Sequence, residues 1–170
     1  MKSRLEFIYV DGPHEAATTG KSWFHWDNEG LPNKAVRYRG WEQTEETLRK
    51  ALEEEAPIDG VVGFSQGATA AALFAAGLAP GTLKFGIFIS GFRPYDEAFA
   101  SRLGNESLSQ LPTLHIMGES DEIIPLERSL AMAEAVGPRA QTFRHPGGHM
   151  VPTCSGEVKA AWQSFLDGVE

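Results

Sequence analysis

DGVVGFSQGATAAALFAAGLA, residues 59–79, is the stretch on which the reading of this chain turns. Residues 59–64 form a short apolar run opened by the turn pair Asp59-Gly60, which predicts a strand. Residues 68–79 are small and apolar almost throughout, which predicts a buried helix. Ser65 lies between them in Gly63-Phe64-Ser65-Gln66-Gly67, where the strand hands over to the helix. A serine on such a tight turn adopts a strained backbone and presents its hydroxyl at the end of the strand. Its two flanking glycines are expected where a Cβ would collide with neighbouring backbone. Five residues alone are equally well explained as a glycine-rich turn; the strand before and the small-residue helix after favour a nucleophile.

Nearer the N-terminus, residues 5–10 (LEFIYV) read as a first strand, ended by Asp11-Gly12-Pro13. From residue 14 to about residue 40 the chain is rich in Gly, Asn and aromatics and is expected to be irregular. Residues 42–55 (EQTEETLRKALEEE) place Leu48 and Leu52 on one face of an amphipathic helix, with Thr44 available to cap it. Further strands are expected at 85–90 (FGIFIS), 113–117 (TLHIM) and 141–144 (QTFR), and helices at 126–135 and 157–166. Strands separated by helix-length segments need crossover connections. The expectation is an α/β fold, a mostly parallel sheet of about five strands with helices on both faces. A length of 170 residues suits a single domain spanning 1–170.

Composition narrows the function classes. The net charge is −8, and Lys and Arg gather into no stripe, so nucleic acid is a poor partner. Cys154 is the only cysteine, which rules out an intramolecular disulfide. No apolar run approaches membrane-spanning length. The first ten residues carry Arg4 and Glu6 and no small-residue cleavage site, unlike a secretory signal. A reducing, cytoplasmic compartment is expected.

In a parallel sheet, sites form at the carboxyl ends of the strands. After residues 113–117 comes GESDEIIP (118–125), a turn containing Asp121; after 141–144 comes HPGGHMVP (145–152), a glycine turn containing His149. A serine hydroxyl is almost never ionised near neutrality, so a neutral imidazole must take its proton as it attacks a carbonyl carbon. A carboxylate behind the imidazole then fixes the tautomer and stabilises the imidazolium. Ser65, His149 and Asp121 suit these roles. Asp121 lies deeper in its turn than Glu119 or Glu122, and Glu122 remains the alternative acid. His149 follows two glycines that let the backbone bend, whereas His145 ends a strand and precedes Pro146; His145 remains the alternative base. His115, inside a strand, reads as a core residue, and His14 and His25 fall in the long irregular stretch. The chain order Ser, Asp, His is that of the α/β-hydrolases.

GFSQGA (63–68), ISGFRP (89–94), the turn at 118–125 and HPGGHMVP together resemble the serine hydrolases of the FSH type, which include ovarian-cancer-associated esterase and fungal thioesterases. Asp11-Gly12-Pro13-His14 and Ser22-Trp23-Phe24-His25-Trp26 extend the resemblance over nearly the whole chain. It implies an α/β-hydrolase fold, Ser65, Asp121 and His149 in the three roles above, hydrolysis of a small-molecule ester or thioester, and no metal or organic cofactor. The family pattern starts with a strand and His-Gly loop that are not found ahead of Leu5. An N-terminally truncated hydrolase is therefore expected, with the Gln66 N–H as its remaining oxyanion donor and strand edges open to self-association. A catalytically weak, ligand-binding domain is the alternative reading. Trp23, Phe24, Trp26, Phe92 and Met150 are the expected wall of an apolar acyl pocket.

Overall fold

The computed structural model describes residues 5–17, 20–27 and 36–169. Four parallel strands make the central sheet: β5 (Gly60–Phe64), β6 (Phe85–Ile89), β7 (Thr113–Gly118) and β8 (Ala140–His145), side by side in that order. Each parallel step needs a crossover. α2 (Gln66–Ala76) joins β5 to β6, the short α3 (Glu97–Ala100) and α4 (Glu106–Gln110) lie between β6 and β7, and α5 (Leu126–Val136) joins β7 to β8. α1 (Trp41–Glu54) precedes the sheet and α6 (Gly156–Asp167) follows it. The fold has the expected parallel sheet, with four strands among the described residues.

Alternation along β6 divides the core into two layers. Ile87 and Ile89 face Leu114, Ile116 and Phe165 of α6, while Phe88 points the other way, into the cluster that holds Leu73, Met132 and Val136. The inner strands β6 and β7 are buried along their whole length, which is why their sequences read as unbroken apolar runs. β5 and β8, outermost among the described strands, are only partly covered.

Three sequence expectations are corrected. Residues 5–10 are not a strand: they run without regular secondary structure, and Phe7, Ile8 and Tyr9 lie exposed while Leu5 packs beneath α6. Apolar, β-prone composition does not by itself make a strand. Thr44 does not cap α1. Gly40, left-handed at φ 82°, occupies that position, and Thr44 lies inside the first turn, fully buried, with its hydroxyl donating to the Trp23 carbonyl. The stretch read as irregular contains two antiparallel ribbons, β1 (His14–Glu15) with β2 (Lys21–Ser22) and β3 (His25–Asp27) with β4 (Arg37–Arg39). Strands of two or three residues are too short to show a period in sequence. An open concavity of about 380 Å³, lined by residues that include Leu83, Pro112 and Arg139, lies at the amino ends of the strands, away from Ser65.

Candidate active site

Ser65 stands between β5 and α2 with φ 53° and ψ −122°, a conformation that L residues rarely adopt. Its N–H donates to the Ile89 carbonyl at 2.9 Å, and its own carbonyl accepts from Ala68 at 3.0 Å, so the turn is held from both sides. A Cβ on Gly63 would meet the Gly67 carbonyl oxygen at 2.3 Å, the backbone collision anticipated for this glycine. Gly67 is different. Its Cβ would meet the Trp23 indole nitrogen at 3.1 Å, a side chain and not backbone.

The loops after β7 and β8 are fastened to each other. Gly118 lies where a Cβ would be 2.4 Å from the Gly147 carbonyl oxygen, Glu119 N–H donates to the His145 carbonyl at 2.8 Å, and Ser120 N–H donates to Gly147 at 3.2 Å. Gly118 permits this close backbone approach, whereas a Cβ on Gly147 would meet the His145 ring at 2.9 Å, and neither Gly147 nor Gly148 takes a positive φ. The result brings Asp121 and His149 together. Asp121 Oδ2 is 2.8 Å from His149 Nδ1, and His149 Nε2 is 2.9 Å from Ser65 Oγ. An ionised carboxylate can only accept, so Nδ1 carries the imidazole proton and Nε2 accepts from the Ser65 hydroxyl. Phe64 lies against the imidazole, ring centroids 4.8 Å apart.

Asp121 is 7% exposed, and its other oxygen accepts from the N–H groups of Ile124 (2.8 Å) and Ile123 (2.9 Å). Burial by itself raises this carboxyl; the bonds from Ile124, His149 and Ile123 together outweigh it and hold the group below the usual aspartate value. Glu122, the alternative acid, is exposed. His145, the alternative base, is buried, with Nδ1 accepting from Gly147 N–H at 3.1 Å and Nε2 left without a partner among the described residues. His115 is also buried, 3.3 Å from the Thr113 hydroxyl, and desolvation lowers its pKa to about 4.

The expected pocket residues differ in exposure. Phe24 (1% exposed) and Phe92 (2%) lie inside the core, Phe24 stacked on Tyr38 at 4.3 Å, so neither presents an open surface. Aromatic side chains of this size drive burial wherever a neighbouring ring can cover them. Met150 (48%) and Trp26 (50%) are open to solvent, and Trp23 is half-buried beside α2. Gln66, the first residue of α2, has a backbone N–H of the kind a first helical turn leaves without an intrahelical acceptor. Its side chain bonds to the segment carrying Trp23 and Phe24, a role with no local signal in sequence.

A family model described as serine hydrolase (FSH1) matches residues 1–161. The chain belongs to this serine hydrolase family. It is 31% identical to the human esterase OVCA2 over 98% of this chain and 84% of that protein, and 37% identical to its Bos taurus counterpart over the same shares. The Caenorhabditis elegans esterase C25G4.2 is 31% identical over 91% of this chain and 76% of the relative. The fold is that of the α/β-hydrolases. A crystal structure of esterase PE8 superposes with a TM-score of 0.69 at 23% identity, covering 94% of this chain and 76% of that one. The Zea mays acyl-protein thioesterase 2 gives 0.60 at 18% identity, covering 89% and 73%. Among the described residues of this family member, no helix is long and apolar enough to cross a membrane.

Proposed function

We propose that this protein hydrolyses carboxylic esters or thioesters through an acyl-enzyme on Ser65. The observation that carries the reading is the continuous hydrogen-bond chain from Ser65 Oγ to His149 (2.9 Å) to Asp121 (2.8 Å). The esterase names borne by the relatives support the reaction class.

Ser65 Oγ attacks the acyl carbon while His149 Nε2 takes the hydroxyl proton, and the imidazolium is stabilised by Asp121. The Gln66 N–H donates to the oxyanion of the tetrahedral intermediate. That intermediate collapses as the carbon–oxygen or carbon–sulfur bond breaks, and the leaving alkoxide or thiolate is neutralised by the proton from Nε2. Water then attacks the acyl-enzyme, passing its proton to Nε2, and Ser65 leaves with that proton restored. Asp121 stays ionised throughout, as its depressed pKa favours.

A fluorophosphonate probe tests the reading, since it bonds only to an activated hydroxyl. The expected result is a single adduct on Ser65, located by peptide mass spectrometry, together with turnover of p-nitrophenyl esters. An unlabelled Ser65 with no ester or thioester turnover would refute the assignment.

A further inference from the structure

The Gln66 carboxamide, on the residue after Ser65, makes three hydrogen bonds to one segment. Oε1 accepts from the Trp23 N–H at 2.8 Å and lies 3.1 Å from the Ser22 hydroxyl, while Nε2 donates to the Phe24 carbonyl at 2.8 Å. Its orientation is unambiguous: a backbone N–H can only donate and a carbonyl can only accept, so the amide fits one way round. The Trp23 carbonyl is held as well, by the buried Thr44 hydroxyl of α1. Trp23 is thus gripped through its N–H by the nucleophile helix and through its C=O by α1. Its indole lies against Gly67, in space that any larger residue would contest.

This arrangement puts two functions on one residue. The backbone of Gln66 faces the reacting carbonyl under the proposed mechanism, and its side chain fixes where the Trp23 segment runs. We propose that Gln66 and Thr44 are positioning residues for substrate selectivity, holding the Trp23 indole as a fixed wall beside the acyl site. The inference rests on the esterase reading for its kinetic consequence, though not for the clamp itself. A clamp on backbone groups suits this task because it restrains the path of the segment while leaving the indole face to meet substrate. Release of the segment costs little for the smallest acyl groups, which do not reach the wall. Longer acyl groups lose an ordered surface, and their KM rises.

The test uses the full chain with Gln66→Ala and Thr44→Val, the second lying outside the reacting atoms. Amide hydrogen exchange of the peptide containing Trp23 reads the clamp directly, and kinetics on p-nitrophenyl esters from acetate to octanoate read selectivity. In Gln66→Ala, Trp23 exchange rises about tenfold or more, since its N–H loses its part-buried acceptor. In both variants the ratio of octanoate KM to acetate KM rises by about tenfold, with acetate turnover retained in Thr44→Val. Gln66→Glu keeps the acceptor and loses the donor, so Trp23 remains protected; it carries the comparison if Gln66→Ala does not fold. Unchanged exchange at Trp23 in Gln66→Ala, or a loss uniform across chain length in both variants, overturns the proposal. A parent protein with neither ester nor thioester turnover would refute the hydrolase reading, while the exchange measurement would still report on the clamp.

Discussion

The missing Cβ of Gly63 points at the carbonyl oxygen of Gly67, with only 2.3 Å between them. The strand that brings Ser65 into place and the helix that leaves it are therefore in backbone contact, and neither can give way without moving the serine. Gly63→Ala is expected to destabilise the fold by about 2–3 kcal/mol, as overpacking against backbone does. That corresponds to a melting temperature lower by roughly 5–10 °C, together with loss of probe labelling. Gly67→Ala presses on the Trp23 indole at 3.1 Å, a side chain that can shift, and should melt closer to the parent. Thermal melts of the two variants side by side check the ordering.

Removal of the Ser65 hydroxyl separates chemistry from stability. Ser65→Ala should lose labelling and acyl-enzyme while its melting temperature stays within a few degrees. Ser65→Gly should melt above Ser65→Ala, because glycine adopts φ 53° without the cost that a Cβ imposes. Cys154→Ala, at an exposed thiol, should leave labelling intact. Turnover surviving in Ser65→Ala would point to another nucleophile.

Asp121→Asn keeps an acceptor for Ile123 and Ile124 but no longer enforces the Nδ1–H tautomer of His149. Turnover should fall by about 10³–10⁴, with KM changed far less. The parent carboxyl is held below its ordinary value of 3.8, so its stabilising contribution is complete above that pH. It is lost as pH falls through the lower value of the folded state. Acid unfolding followed by circular dichroism should show the parent's added loss at low pH to be absent from Asp121→Asn.

His115 places a second pH dependence higher on the scale. Burial beside Phe88, ring centroids 5.2 Å apart, brings its pKa down from 6.5 to about 4, so the unfolded chain binds the proton more readily than the folded one. Stability from this residue is full above pH 6.5 and declines between there and pH 4, by roughly 3 kcal/mol in all. Denaturant melts at pH 7 and pH 4.5 should show a smaller difference for His115→Gln than for the parent. An equal difference would mean that the imidazole is not desolvated.

The sequence was sufficient for what depends on short range. Apolar runs of five or six residues define β6 and β7, helix-length segments set the spacing to β5 and β8, and the order of Ser65, Asp121 and His149 along the chain puts each after a different strand. Those signals are local, because burial of a parallel strand on both faces requires a continuous apolar run. Tertiary structure decided what depends on contacts across tens of residues. Ser65 meets His149 and not His145 because the Gly118 backbone fits against Gly147, which sets how the two loops lie. Phe24 and Phe92 went into the core because Tyr38 and neighbouring rings were there to cover them. Residues 5–10, as apolar as a strand, form none, because apolar composition by itself does not fix a strand. The Gln66 clamp joins residues 42 to 44 positions apart, and nothing in a window of local sequence records which backbone groups a carboxamide will reach.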